Sequence, residues 1–329
     1  MKNLRWLPDP FVLQILGVLL LACVWPVHGA PAQWLGHLTQ AAIALLFFMH
    51  GAKLSAQQVR AGLVQWRLHL TVFACTFVLF PLLAWLARPL LEISLGSSLT
   101  MGMLFLSALP STVQSSIAFT SLAGGNVAAA VCSAATSSLV GIFVTPVLVM
   151  LMLGAQGDMA LGPAMVQIML QLLLPFALGQ YARRWIASWV HRNKSWLKQL
   201  DNSAILLVVY GSFSAAVVGG IWQQVDGLRL LGLLACCSVL LLVVFACTWA
   251  LGRWCGFAPA DSKTLFFCGS KKSLTTGIPL ANVLFPAASV GLLILPTMVF
   301  HQLQLIACAF MARRWQRTHQ PEAHADTSP

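Results

Sequence analysis

Two lysines stand side by side in a stretch that otherwise reads as lipid-soluble: Cys268-Gly269-Ser270-Lys271-Lys272-Ser273-Leu274-Thr275-Thr276-Gly277-Ile278-Pro279. An ammonium at the centre of a bilayer costs about 2.5–3.5 kcal/mol on insertion scales, so a lysine retained there points to function. It can attract an anionic group, or it can stand where a cation would stand. Lys263 marks the membrane edge of the stretch. A helix running from there to Lys271 rises roughly 12 Å, which leaves at least one ammonium deep in the hydrocarbon rather than snorkelling to the surface. A second cluster follows Pro110, with eight hydroxyl or amide side chains among the sixteen residues 111–126. Pro110 lacks a backbone donor and frees carbonyls, and freed groups within lipid need protein or water partners. The cluster therefore reads as the lining of a cavity, the plainer alternative being small polar residues packed against a neighbouring helix.

The candidate solute- or ion-binding residues are Gln114, Ser115, Ser116, Thr120 and Asn126 in the first cluster and Ser270, Lys271, Lys272, Ser273 and Thr275 in the second. Thr136 and Ser137 join them from the next apolar segment, and His301 and Gln302 from the last, although a single His more often satisfies a local hydrogen bond. Asn126 also stands where it could cap the helix that follows. Every Asp and Glu falls in a loop or at a segment end. That pattern argues against a carboxylate proton relay, and a Na⁺ would have only neutral oxygens such as those of Ser115, Ser116, Thr120 and Ser273. No zinc-protease, nucleophile-elbow or phosphate-loop motif occurs, so the chain reads as no enzyme. No cofactor is expected beyond a possible coupling Na⁺.

The elements that must hold these residues follow from composition. The 329 residues are 59% hydrophobic and 8% charged, against roughly 25% charged in soluble domains. A mean hydropathy of +0.83 agrees. The class is an all-α polytopic membrane protein. Apolar runs give ten expected transmembrane helices, near 9–27, 36–52, 68–88, 99–122, 127–153, 163–182, 203–222, 230–252, 263–284 and 289–311. Placing the N-terminus in the cytoplasm puts 15 of the 19 Lys and Arg on the inside and 2 on the outside, the remaining pair being Lys271 and Lys272. That asymmetry orients both termini to the cytoplasm and explains the net charge of +11 without nucleic acid. The nine cysteines form no C-x-x-C pair and read as reduced, buried small hydrophobes.

The longest inside connection, near 183–201, divides the chain into two blocks of five spans. An odd number per block inverts the second against the first, the arrangement of inverted-repeat transporters. The repeats cover approximately 8–153 and 163–312 within one membrane unit, 1–317, and 318–329 read as a disordered tail. The fourth and ninth spans carry the polar clusters, and an interruption is expected near Gln114–Ser116 and near Ser270–Ser273.

At these residues the sequence resembles the bile acid:sodium symporter superfamily. The string Gly269-Ser-Lys-Lys-Ser-Leu-Thr-Thr-Gly-Ile-Pro279 and the later Leu295-Pro296…His301-Gln302 are similar to the sodium/bile acid cotransporter 7-like branch, which includes bacterial proteins. The resemblance implies core and panel subdomains, discontinuous crossing helices four and nine, and a bacterial inner-membrane location. Ser115 matches the Ser of the family's fourth-helix motif, Ser116 stands for its Asn, Asn126 for its Asp, and Thr120 matches after a one-residue insertion. The ninth-helix Glu that helps to hold Na⁺ is replaced within Ser270–Thr275. The resemblance implies a secondary active transporter of an organic, anionic solute, a symporter that would use Na⁺. The residues leave two alternatives open. A lysine could replace the cation, with weak or absent Na⁺ dependence. Or the chain could be a non-transporting regulator of ion entry that works through its basic segment 183–198. Lipid is the other expected partner.

Overall fold

The computed structural model of the chain describes residues 10–53, 65–153, 170, 174–220 and 226–318. Every regular element among them is helical: α1 (Pro10–Val24), α2 (Ala30–Lys53), α3 (Trp66–Ala74), a π-helical turn (Cys75–Leu79), α4 (Phe80–Leu86), α5 (Arg88–Leu95), α6 (Ser97–Ala108), α7 (Gln114–Leu122), α8 (Val127–Leu153), α9 (Leu174–Arg192), α10 (Lys194–Val218), α11 (Gly227–Trp254), α12 (Pro259–Gly269), α13 (Leu274–Leu284) and α14 (Ala287–Thr318). Among the described residues six stretches are long and apolar enough to cross a membrane: Ala30–Met49, Trp66–Leu86, Val127–Leu153, Ser195–Val218, Gly227–Trp254 and Ser289–Gln316. With backbone donors and acceptors paired inside helices, the chain is an all-helical membrane protein.

That number is smaller than the ten expected spans, and the reason is local. Two of the ten, 99–122 and 263–284, are each divided into a pair of shorter helices, α6 with α7 and α12 with α13. Span 9–27 is the 15-residue α1. Part of span 163–182 and the tail 319–329 lie outside the described residues. The connection expected near 183–201 is not a loop. Its basic residues continue α9 and open α10, with only Asn193 separating the two helices. Arg184 lies in α9 against the rings of Tyr181 and Trp185, 3.9 and 3.8 Å from their centroids.

The chain forms two compact units. One comprises Met1–Ser55, Ala155–Gly227 and Gly277–Ile294. Within it α2 packs against α9 and α10, and α1 against α10. The α2–α9 crossing is a backbone-to-backbone approach. A Cβ on Gly51 would strike the carbonyl oxygen of Phe176, and one on Gly179 would strike that of Phe48. Small residues at such crossings let membrane helices gain dispersion contact where no hydrophobic driving force exists.

The other unit comprises Ala56–Gly154, Leu228–Thr276 and Leu295–Pro329. Its core holds α12 against α3, α7 and α8. Around Trp315 of α14 the rings of Trp249, Phe266 and Phe267 gather with centroids 5.0–5.5 Å away. Both polar clusters lie in this unit.

Candidate functional site

The first interruption is set by Pro110. A residue before proline is pushed out of the helical region, and Leu109 is extended at φ −69°, ψ 152°. The break therefore occupies Leu109–Val113, one turn earlier than expected, and Gln114–Ser116 begin α7 instead of being unwound. Gly141 of α8 makes room for the turn. A Cβ there would lie 2.6 Å from Pro110 Cβ. The second interruption, Ser270–Ser273, falls where it was expected.

Each break closes the other. The carbonyl of Leu106 accepts the Leu109 N–H at 3.2 Å. Those of Ser107 and Leu109 accept Lys272 Nζ at 2.6 and 2.8 Å. Thr145 Oγ1 donates to Ala108 O at 2.8 Å, and the Ser273 N–H donates to Pro110 O at 2.8 Å. Five successive carbonyls that the break releases are thus all paired, as buried backbone requires. In return, Ser111 Oγ donates to Cys268 O at 2.6 Å and Ser116 Oγ to Phe267 O at 3.2 Å, at the C-terminal end of α12. Ser270 Oγ caps Phe266 O at 2.5 Å. The Ser111 N–H reaches Ser137 Oγ at 3.1 Å, which ties α8 to the same junction.

Lys272 is the centre of this junction. It is fully buried. Its ammonium spends all three N–H donors on main-chain oxygens, the third being Thr76 O at 2.7 Å. Thr76 lies in the π-helical turn, whose wide hydrogen-bond spacing leaves carbonyls for other donors. The Phe80 ring closes the remaining side, 4.2 Å from Nζ. Gln304 of α14 fixes the backbone of Lys272 on both edges: Oε1 accepts its N–H at 2.9 Å, and Nε2 donates to its carbonyl at 2.8 Å. The amide can therefore point only one way, and His301 Nδ1, 2.8 Å from the same Nε2, is an acceptor.

Lys271, next in sequence, is equally buried and has the opposite surroundings. Its Nζ has no hydrogen-bond partner. It lies over the Phe119 ring at 4.1 Å, with that of Phe267 at 5.8 Å. Such ring contacts contribute about 2 kcal/mol when desolvated, less than the several kcal/mol that burying one unpaired ion costs. Thr120 Oγ1 on the same helix as Phe119 is also buried without a partner.

The other expected residues divide. Ser115 is bonded to Thr112 Oγ1 at 2.8 Å, and Ser273 Oγ holds the start of α13 through the Thr276 N–H at 3.2 Å and Thr275 Oγ1 at 3.1 Å. Asn126 is not at the breaks. It caps α8 through Ala129 N at 3.1 Å, and its amide donates to Asp261 and Gln65 at 2.8 and 3.3 Å. Thr136 donates to Cys132 O in its own helix at 2.8 Å. Gln302 is half-buried on α14, and the side chain of Gln114 lies outside the described residues. Lys263, read as the membrane-edge marker, caps α7 through Ala123 O at 2.8 Å. Ser111 belongs to the cluster expected after Pro110, whereas Thr76, Thr145 and Gln304 join the junction without having been named as site residues. A buried His69 Nδ1–Ser133 Oγ contact of 2.6 Å is likewise new.

A family model described as the SBF-like CPA transporter family matches residues 9–317. A Pseudomonas aeruginosa protein is 52% identical over 326 residues, covering 99% of this chain and 98% of its own length. The Escherichia coli protein named "Putative symporter YfeH" is 51% identical over 329 residues, covering 100% of this chain and 99% of its own. The Rattus norvegicus protein named sodium/bile acid cotransporter 7 is 30% identical over 283 residues, 85% of this chain and 83% of its own. The family match covers nearly all of the described helices and both breaks, and the chain belongs to the SBF-like CPA transporter family, membrane transporters and not enzymes.

Proposed function

We propose that the chain is a secondary transporter of an organic anion that works by alternating access without binding sodium, the Lys272 ammonium holding the place of the cation. The supporting observation is the set of three carbonyl oxygens, of Thr76, Ser107 and Leu109, at 2.6–2.8 Å from Nζ. Such a shell of main-chain oxygens suits a small monovalent cation, and here the cation is covalently tethered. A Na⁺ about 4 Å from this ammonium meets a repulsion of about 4 kcal/mol at an effective dielectric near 20. That is roughly a thousandfold in affinity. The transport of a solute is taken from the names of the relatives, and the sodium is not.

The anionic character of the solute rests on the charge pattern. Helices α7 and α13 both begin at a break, and helix N-termini carry the positive end of the peptide dipoles. Lys271 adds an amine without a hydrogen-bond partner that becomes a positive charge on protonation, and the hydroxyls of Ser115, Ser273 and Thr275 lie at the starts of these two helices. The expected ten spans, the inverted five-plus-five arrangement and the cytoplasmic placement of both termini in a bacterial inner membrane belong to the same reading. Reporter fusions after Arg192 and after Arg317 should both report cytoplasm, and a periplasmic signal from either removes the inverted arrangement.

Sodium titration tests the reading directly. The melting temperature of the purified wild type is expected to be the same in sodium chloride and in choline chloride. Lys272→Ala, which empties the carbonyl shell, is expected to melt lower and to recover part of the loss in sodium but not in choline. Strong sodium-specific stabilisation of the wild type would return the family's sodium symport to this chain.

A further inference from the structure

We infer that Lys271 carries the coupling proton: it is buried as an ammonium paired with the anionic group of the solute, and without solute it is buried only as the neutral amine. The inference deepens the transport reading above and rests on it. Its starting point is the contrast between neighbours. Lys272 has three acceptors, and Lys271 Nζ has none while being just as buried. An ammonium without acceptors is the costliest side chain to enclose, and the cost falls in two ways: by giving up the proton or by taking a negative partner.

The groups that face Lys271 offer no such partner within the protein. From α7 come the Phe119 ring and the uncharged Thr120, and from α12 the Phe267 ring and the Cys268 thiol. Helix α14 contributes the Cys308 thiol. The adjacent charge in the break is Lys272, of like sign and committed to carbonyls. No carboxylate stands among these groups, and Asp261, ten residues earlier on α12, is engaged by Asn126 at 2.8 Å. His301 is not the carrier in this arrangement. Its Nδ1 must accept from Gln304 Nε2, and a proton there would set one N–H against another.

The cycle then balances in charge. On the outer side Lys271 takes a proton from water and pairs with one anionic group, and the neutral pair is enclosed. On the inner side the N–H bond breaks, the electron pair stays on Nζ, and the proton leaves to water with the anion. The amine returns uncharged. One proton moves with each anionic group, and no sodium is needed.

Proton binding can be read before any solute is known. Proteoliposomes of the full-length chain on a capacitive electrode are exposed to proton-concentration jumps in sodium-free buffer with no added solute. The wild type is expected to give a transient current that saturates as the pH falls. Lys271→Met is expected to lose it, while Arg88→Gln, which alters an exposed pair with Glu92, keeps it. Methionine removes an amine that bonds to nothing, so the variant should fold, and Lys271→Gln serves as a second variant. No current from the wild type overturns the inference, as does a current that persists in Lys271→Met, including one that vanishes in His301→Gln instead. Uptake of a radiolabelled organic anion by wild type that shows no proton current removes this inference and leaves the transport reading standing. A Lys271-dependent current without uptake of any anion in a broad panel counts against the transport reading.

Discussion

Lys272→Met should lower the melting temperature of the detergent-purified protein by roughly 10 °C, whereas Lys271→Met should leave it unchanged or raise it. The two substitutions make the same chemical change at adjacent, fully buried positions, so burial and residue type cancel in the comparison. At Lys272 the change strands the carbonyls of Thr76, Ser107 and Leu109 away from water. Leaving one partner of a buried charged cluster unpaired costs about 3–5 kcal/mol. At Lys271 the amine has no bond to lose, and methionine retains the contact with Phe119 while removing the cost of burying an unpaired polar group. Thermal unfolding followed by tryptophan fluorescence checks both. Equal losses from the two variants would mean that the carbonyl shell contributes nothing that the shared segment does not.

Gly179→Val should prevent accumulation of a monodisperse protein, and Gly51→Ala should destabilise it by several kcal/mol, about the range of severe overpacking. The clash at each glycine is with main chain of the facing helix. At Gly179 it includes Phe48 C at 2.8 Å and Ala52 N at 3.1 Å, and at Gly51 it includes Gln180 N at 3.0 Å. A flexible side chain could move aside, but a helix backbone yields only if α2 and α9 separate along their contact. Size-exclusion profiles of the two variants beside Gly36→Ala, where a Cβ meets nothing within 4 Å, would decide. Normal profiles for all three would show that the close crossing is not needed.

Much of the site is legible in the sequence because its donors are side chains. The lysine pair, Ser273 and the serines after Pro110 announce themselves as polar groups in an apolar frame; Lys272, Ser273, Ser111 and Ser116 prove to close the two breaks, while Lys271 bonds to nothing. The acceptors are another matter. Three of the oxygens that matter most belong to the backbone of Thr76, Ser107 and Leu109, and main-chain oxygens have no residue code. The π-helical turn at Cys75–Leu79 has no composition of its own either. Pro110 signals a break, but the restriction acts on the residue before it, so the break starts at Leu109 and the expected opening at Gln114–Ser116 is helical. Asn126 illustrates the reverse error. Its side chain suits an ion and a helix cap equally well, and only the proximity of Ala129, Asp261 and Gln65 decides for the cap. The basic segment after Arg183 reads as a connection by charge alone, yet it is helical on both sides of Asn193.

The mutual closure of the two breaks also sets a schedule for biogenesis. Ser107 and Leu109 leave the ribosome 165 and 163 residues ahead of the lysine that bonds to them. At about 5–20 residues per second, their carbonyls wait roughly 10–30 s for a donor. The early half of the chain cannot settle into lipid as a finished bundle in that interval. Its broken helix must be sheltered by water, by the insertion machinery or by headgroups, and the arrival of Lys272 is the event that seals it.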